Sequence, residues 1–148
     1  MEIKELGHIV LYVRDVGVSR RFYGEVLGWH EVGTQEDRLA VFSSGRTHHE
    51  LLLIEVGPGA APIPGGRRVG MYHFGLKVGT TDDELRKALE TLVDAGAEVV
   101  GATDHGVTHS LYIKDPDGNE IELYIDVQPE RWREDPMAIL APAAPLRL

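Results

Sequence analysis

Hydrophobic and polar residues follow one another along the chain in a pattern that predicts short strands, with a helix after the first of them. Residues 8–13 form a β-branched run typical of a strand, and residues 19–27 place their apolar side chains on one helical stripe that stops at Gly28. Three further strands are predicted from apolar runs separated by polar or turn-forming residues, around residues 29–33, 39–43 and 50–56. The predicted order of elements is β-α-β-β-β.

The same order returns in the second half of the chain. Residues 73–78 are strand-like, and Thr81 and Glu84 have the spacing of a capping box, in which each side chain bonds the other residue's backbone N–H. A helix ending at Gly96 is predicted from a stripe of apolar residues, Leu85, Ala88, Leu89, Leu92 and Val93. Three strands are then predicted around residues 97–100, 110–114 and 120–127.

The two modules match each other by nearly constant offsets. His8 falls on His73, 65 residues further along, and Glu50 falls on Glu120, 70 residues further along. Neither module alone buries both faces of its sheet. We therefore expect an α+β fold in which two paired βαβββ modules form one eight-stranded curved sheet with helices outside.

This pattern predicts a single domain over residues 1–127. Module one covers about residues 5–56, a linker rich in Gly and Pro covers 57–70, and module two covers about 71–127. Residues 128–148 are rich in Pro and Ala and are predicted to form a C-terminal arm, packed over the body or partly disordered. A chain of 148 residues can bury one sizeable core but is too short for two ordinary domains in series.

Composition limits the partners and the kinds of site. A formal net charge of −9 argues against nucleic acid or an anionic membrane as partner, because phosphate binding needs clustered Lys and Arg; small molecules are expected instead. With no cysteine, any metal must bind to His, Asp, Glu or Tyr. No apolar run reaches the ~18 residues of a membrane span and the N-terminus lacks a signal-peptide pattern, which predicts a cytoplasmic protein.

A turn at residues 115–119 sets the register of the last two strands. Pro116 presets φ, aspartate side chains bond the local backbone, and Gly118 tolerates a positive φ. If these residues form the loop, Tyr112 pairs with Glu122 and the two side chains share one face of the sheet. A different loop length would break the pairing, so this prediction depends on the register.

Three residues form a candidate metal site. His8 and His73 occupy equivalent positions on the first strand of each module, and Glu122 lies on a last strand. Two imidazoles and one carboxylate are the ligand set of a non-haem iron(II) site with open coordination positions. Taken singly, each residue also has an ordinary interpretation, since a histidine at a strand start is often only hydrogen-bonded and Glu122 could belong to the polar face of an amphipathic strand.

Several short motifs together carry a family resemblance. They are GHIVL at residues 7–11, Asp15, FY at 22–23, LG at 27–28, His73 and DPDGNEIEL at 115–123. With them the chain resembles the vicinal oxygen chelate superfamily, which includes glyoxalase I, methylmalonyl-CoA epimerase, fosfomycin and bleomycin resistance proteins and type I extradiol dioxygenases. The resemblance covers about residues 5–127. It implies the paired βαβββ fold with a divalent metal held by His8, His73 and Glu122, and it allows a homodimer.

Two motifs, HGVTH at residues 105–109 ahead of Tyr112 and HHE at residues 48–50, resemble the catechol 2,3-dioxygenase branch. That resemblance implies His49 as acid–base residue, His105 as a hydrogen-bond partner of a substrate hydroxyl or a part of the pocket wall, and Tyr112 as a hydrogen-bond donor to oxygen at the metal. It implies an Fe(II)-dependent extradiol dioxygenase that cleaves a catecholic or vicinally oxygenated small molecule with O2. Mn(II), Ni(II), Zn(II) and Co(II) remain alternatives for the metal.

Two other functions stay open at this point. A glyoxalase-like or epimerase-like enzyme needs a fourth protein ligand, for which Glu50 is the candidate, and strand alternation prevents His49 and Glu50 from both facing the metal. The offset between the modules pairs Leu52 with Glu122, which argues weakly against four ligands. A drug-binding or metabolite-binding resistance protein without catalysis is the third alternative, and the intact ligand triad speaks against it.

Overall fold

Nine strands and three α-helices make up the structure, a computed structural model that describes residues 1–148. The strands are β1 Ile9–Val13, β2 Glu31–Gln35, β3 Leu39–Phe42, β4 Leu51–Glu55, β5 His73–Gly79, β6 Glu98–Asp104, β7 Thr108–Lys114, β8 Glu120–Asp126 and β9 Ala144–Pro145. The helices are α1 Val16–Arg20, continued by a π-helical turn Arg21–Val26, α2 Asp82–Asp94, and α3 Pro129–Glu134, followed by a 3-10 helix Pro136–Leu140. The α+β class and the two βαβββ modules are confirmed. None of the helices has the length and apolar character that crossing a membrane requires.

The chain divides into two units, each with its own sheet. Unit one is Met1–Ile63 and unit two is Pro64–Leu148, so the boundary lies inside the predicted linker. The strand order is β1-β4-β3-β2 in unit one and β5-β8-β7-β6-β9 in unit two. The extent of a single domain over residues 1–127 stays a prediction.

The helix of unit one starts earlier than predicted. Asp15 caps it, because its side chain accepts a hydrogen bond of 2.8 Å from the backbone N–H of Val18, and the helix therefore begins at Val16 instead of residue 19. After Arg20 the winding widens into the π-helical turn. The apolar stripe of the helix is buried with alternate side chains of the sheet, and this core contains Leu11, Val13, Phe22, Tyr23, Phe42, Leu51 and Leu53.

Unit two places its helix over one face of the sheet and leaves polar side chains on the other. The predicted capping box of α2 is present, with Thr81 and Glu84 each accepting from the other's backbone N–H. Strand β8 alternates between buried apolar residues and half-buried polar ones. The buried set, facing the helix side, includes Phe74, Leu85, Leu92, Leu111, Ile113, Ile121, Leu123 and Ile125.

The last hairpin has the predicted register. Tyr112 pairs with Glu122 and Lys114 with Glu120 across the loop. Asp115, which is only 5% exposed, organises that loop by accepting hydrogen bonds from the backbone N–H groups of Asp117 and Asn119. The predicted neighbourhood of a phenol and a carboxylate on one face is therefore confirmed.

The internal registers of the two modules are the same. In unit one β1 runs parallel to β4 with Ile9 opposite Leu51, and in unit two β5 runs parallel to β8 with Phe74 opposite Ile121. These pairs are related by the offsets read from the sequence. Within this scheme Glu50 is the equivalent of Glu120, and Leu52 is the equivalent of Glu122.

The C-terminal arm, residues 128–148, is ordered along its length. It holds α3 and the 3-10 helix, and its end forms β9, which pairs with β6 at Thr103 and Asp104. The backbone N–H of Leu146 also donates to the carbonyl of Ala102 at 3.3 Å. The ninth strand was not predicted, because a two-residue pairing that contains Pro145 has no periodic pattern to recognise.

Candidate metal centre

One polar face of unit two brings together most of the residues predicted for the site. His73 on β5, Tyr112 on β7 and Glu122 on β8 all point to this face, and the Nε2 atom of His73 lies 3.3 Å from Oε2 of Glu122. The rings of His73 and Tyr112 are 5.4 Å apart, measured between centroids. Adjacent strands and the alternation of side chains are sufficient to assemble this group.

Glu122 is held in place through its other oxygen. The hydroxyl of Ser110 donates to Oε1 at 2.6 Å, and the hydroxyl of Tyr112 donates to the same atom at 3.2 Å. Ser110 is fully buried on β7, two residues before Tyr112 and therefore on the same face. These two hydroxyls satisfy one carboxylate oxygen and leave the other directed at His73.

His73 has a second carboxylate beside its other ring nitrogen. Its Nδ1 lies 4.0 Å from Oε1 of Glu120, and both of these buried atoms lack a hydrogen-bond partner. Histidines that bind metals usually donate their second N–H to such an acceptor, which fixes the tautomer and the ring orientation. A hydrogen bond from Tyr72 to Glu120 raises the pKa of that phenol above its usual value.

Tyr112 links this polar face of unit two to the turn at the end of β6. Its hydroxyl lies 2.9 Å from Nε2 of His105, a residue of the tight turn between β6 and β7. Burial, together with the negative charge of Glu122, raises the pKa of Tyr112 well above that of a free phenol. Tyr112 therefore stays protonated at any physiological pH and acts as a hydrogen-bond donor.

The other predicted site residues lie in unit one. His8 stands directly before β1 and its ring is 4.4 Å from that of His49, measured between centroids. His48 also adjoins His49, at 4.4 Å between ring centroids. Desolvation, followed by the charges of His8 and His48, lowers the pKa of His49 below its usual value, which favours the neutral imidazole.

Glu50 is already engaged by its own surroundings. Its carboxylate accepts a hydrogen bond of 2.9 Å from Nε of Arg46 and further hydrogen bonds from the backbone N–H and hydroxyl of Ser44. These interactions lower the pKa of Glu50 and oppose the effect of its desolvation. Because Leu52 and not Glu50 is the equivalent of Glu122, unit one offers no carboxylate at the position where unit two has one.

The donor set of unit two fits a divalent ion. Two ligand atoms that each lie about 2.1 Å from one metal, with a right angle between the two bonds, are ~3 Å apart. This distance is close to the 3.3 Å between Nε2 of His73 and Oε2 of Glu122. Within either unit, no three His, Asp or Glu side chains are grouped closely enough to bind a metal by themselves. The pair therefore needs a further ligand, and the sequence predicts His8 for that role.

Sequence reasoning overlooked two residues of this face. Ser110 carries no motif, and its one available signal is its position two residues before Tyr112 on the same strand. Glu120 enters the sequence analysis only as the counterpart of Glu50 in the repeat, and its position next to His73 follows from the parallel pairing of β5 with β8.

Comparison with known proteins identifies the family. The model of the Glyoxalase/Bleomycin resistance protein/Dioxygenase superfamily matches residues 5–123. The chain belongs to this superfamily. The predicted resemblance is thereby confirmed, and the C-terminal arm lies beyond the part of the chain that the superfamily model matches.

Curated relatives of the chain include proteins named as dioxygenases. The chain is 32% identical to the catechol-2,3-dioxygenase of Bacillus subtilis over 90% of its own length and 46% of that protein. It is 35% identical to biphenyl-2,3-diol 1,2-dioxygenase 3 of Rhodococcus globerulus over 82% of its own length and 63% of that protein. The chain thus spans about half to two thirds of the length of these two relatives.

A solved structure supports the superfamily fold. A glyoxalase/dioxygenase from Nostoc punctiforme is 22% identical and superposes with a TM-score of 0.71, over 83% of this chain and 91% of that one. At this level of identity the likeness concerns the fold alone. Dioxygenases are not alone among the relatives, since a probable lactoylglutathione lyase of Vibrio parahaemolyticus is 28% identical over 78% of this chain and 86% of that protein.

Proposed function

We propose that this protein is an Fe(II)-dependent, extradiol dioxygenase-like enzyme that cleaves a catecholic or vicinally oxygenated small molecule with O2. The observation that carries the proposal is the His73–Glu122 pair, 3.3 Å apart, with Glu122 fixed by two hydroxyl donors. The names of the two dioxygenase relatives support the choice of branch.

In this proposal His8, His73 and Glu122 hold the metal. Iron(II) held by these three side chains would supply Lewis-acid activation of the diol and of O2. The protein's own contribution is to fix its ligands. Ser110 and Tyr112 hold Glu122, and Glu120 would orient His73 if its carboxylate closed the 4.0 Å gap to Nδ1.

His49 is proposed to accept and return the proton. A catechol loses protons when it chelates, and ring opening needs an acid, so one neutral imidazole can perform both steps. The lowered pKa of His49 is consistent with a residue that starts as a base. His105 is proposed to bind a substrate hydroxyl. Tyr112 is proposed to donate a hydrogen bond to an oxygen atom at the metal, for which its single O–H would turn away from Glu122.

Metal content is the experiment that tests the site. Protein purified without oxygen is analysed for elements per chain, together with His73→Ala, Glu122→Ala and the control His30→Ala, an exposed histidine far from β5 and β8 in the sequence. We expect nearly one iron or manganese per chain in the parent and the control, and loss of metal in the two site variants. Unchanged metal in either site variant would remove that residue from the site.

Oxygen uptake with catechols then tests the reaction. Consumption of one O2 per catechol, dependent on added Fe(II), is the expected result. Retention of nickel, zinc or cobalt in preference to iron, without oxygen uptake, would favour the glyoxalase-like or epimerase-like alternative. A homodimer stays a prediction that sedimentation analysis of the same samples can check.

A further inference from the structure

A cavity in unit two opens onto the candidate metal face and is partly walled by the C-terminal arm. Its volume is about 700 Å³, which is ample for a substituted aromatic ring. Glu122 and Tyr124 of β8 and Val107 of the β6–β7 turn contribute from the sheet side. The arm contributes Trp132 from α3 and the side chains of Pro136 and Ile139.

The arm is fixed to the sheet at both ends of this wall. Directly before the arm, the backbone N–H of Val127 donates to the carbonyl of Val107 at 3.1 Å. At its end, β9 pairs with β6. Between these points Arg131 extends its guanidinium towards the carbonyl of Gly106, at 3.5 Å. The wall is therefore tied to the same turn that carries His105.

Apolar side chains of the arm remain exposed although the arm is ordered. Trp132 is 38% exposed and Ile139 is 48% exposed, so neither side chain is buried in the core of unit two. Large apolar side chains that line a cavity beside polar groups are typical of a small-molecule pocket. They leave room for an apolar ligand group that would cover them.

The charges around the cavity disfavour an anionic ligand group. Glu122 and Asp126 contribute carboxylates to the wall, and Arg133 contributes a positive charge. Because Lys77 forms an ion pair with Asp126, the carboxylate of Glu122 is the negative charge that would face an anionic ligand group. The guanidinium of Arg133 is already placed over the ring of Trp132, 5.0 Å from its centroid. An uncharged alkyl or aryl group would pack here without desolvating a charge of its own.

We propose that Trp132, Pro136 and Ile139 form a subsite for an uncharged apolar substituent of the substrate, next to the position of its reacting diol at Glu122. This inference rests on the proposed function, because it takes the diol to bind at the metal face. It makes the arm a determinant of substrate choice, with alkyl-substituted catechols preferred over catechol itself and over carboxylated catechols.

Tryptophan fluorescence can detect ligand binding at this subsite directly. The chain has two tryptophans, so Trp29→Phe leaves Trp132 as the single emitter while it keeps an aromatic ring at position 29. This variant is titrated without oxygen with catechol, 3-propylcatechol and 2,3-dihydroxybenzoate. We expect 3-propylcatechol to change the emission of Trp132 with an affinity about tenfold higher than that of catechol, because part of its propyl group leaves water. The carboxylated probe should bind no better than catechol.

A matched pair of further substitutions isolates the arm. Ile139 lines the cavity, whereas the neighbouring Leu140 is 70% exposed and is not part of the lining. In the Trp29→Phe background, Ile139→Ala should lower the affinity for 3-propylcatechol about fivefold and leave the affinity for catechol unchanged. Leu140→Ala should change neither affinity.

The outcomes separate this inference from the proposed function. Selective binding of 3-propylcatechol that depends on Ile139 supports the subsite even if no catechol is ever cleaved. Oxygen uptake with equal affinity for catechol and 3-propylcatechol, unaffected by Ile139→Ala, would overturn the subsite and leave the dioxygenase proposal intact. Tighter binding of 2,3-dihydroxybenzoate would also overturn it, since Arg133 would then be selecting an anion.

Discussion

Ser110→Ala is the perturbation that most directly tests how Glu122 is held. The substitution removes one buried hydroxyl that donates to Oε1 of Glu122 at 2.6 Å and leaves only the longer hydrogen bond of 3.2 Å from Tyr112. Because Ser110 is fully buried and Ala is smaller by one oxygen atom, little else on the face should change. The carboxylate becomes freer to rotate away from His73.

The expected loss of metal affinity can be estimated from the energy of the hydrogen bond that is removed. A hydrogen bond to a charged group contributes about 1.5–3 kcal/mol, and loss of a partner behind a metal ligand typically reduces metal affinity by about 10–100-fold. The two estimates agree, since tenfold corresponds to ~1.4 kcal/mol. We therefore expect Ser110→Ala to bind Fe(II) or Mn(II) at least tenfold more weakly than the parent.

The assay is a competition titration of the metal against a chelator, without oxygen. Ser19→Ala is the matched control, because Ser19 is equally buried, lies in unit one, and its hydroxyl has no hydrogen-bond partner. The control should keep its metal affinity and should be as stable as the parent or slightly more so. Parent-like metal affinity in Ser110→Ala, with Ser19→Ala also unchanged, would refute the idea that Glu122 is an oriented metal ligand.

Four further predictions concern the proposed acid–base residue, the two partners of the capping box and the hairpin loop. His49→Gln should retain metal but lower kcat by about 10²–10⁴-fold, measured by oxygen uptake; full activity would remove the proton-transfer role. Thr81→Ala should lower the free energy of unfolding by ~1 kcal/mol in a urea titration, and Thr81→Ser should restore it. The pKa of Glu84 is lowered, first by the backbone N–H of Thr80 and then by Thr81, so its contribution to stability is present above about pH 4.5 and is lost as the pH falls through the lowered folded pKa. Glu84→Gln should therefore make the free energy of unfolding less dependent on pH in the range below about pH 4.5, measured by urea titration at several pH values. The same pH dependence as in the parent would contradict this assignment. Gly118→Ala should lower the melting temperature by forcing a side chain into a φ of +90°, whereas the control Gly59→Ala, at an open position without a positive φ, should not.

The parts of the fold that follow from local pattern could be predicted from the sequence. The alternation of β8 and the chemistry of the turn at residues 115–119 are sufficient to specify the pairing of Tyr112 with Glu122. The capping box at Thr81 has a similarly local cause, since two side chains three residues apart satisfy each other's backbone. The offsets between the modules predict the common register of β1–β4 and β5–β8.

Other features depend on contacts that leave no periodic signal. The role of Ser110 depends on the placement of its strand beside β8, because serine is common on polar faces and carries no motif. The early start of α1 depends on one side-chain hydrogen bond to Asp15. The wall made by Trp132 and Ile139 depends on how the arm returns to the sheet through β9, which no composition rule specifies.

The parallel pairing of β5 with β8 also has a consequence for the order in which the molecule folds. Tyr112 and Glu122 are 10 residues apart and join through a short hairpin, whereas Lys77 and Asp126, which form an ion pair between β5 and β8, are 49 residues apart. Contacts between distant residues close late and slowly, because the intervening chain must first lose its freedom. We therefore expect His73, on the edge strand, to reach Glu122 late in folding, and we expect a metal ion bound between them to slow unfolding.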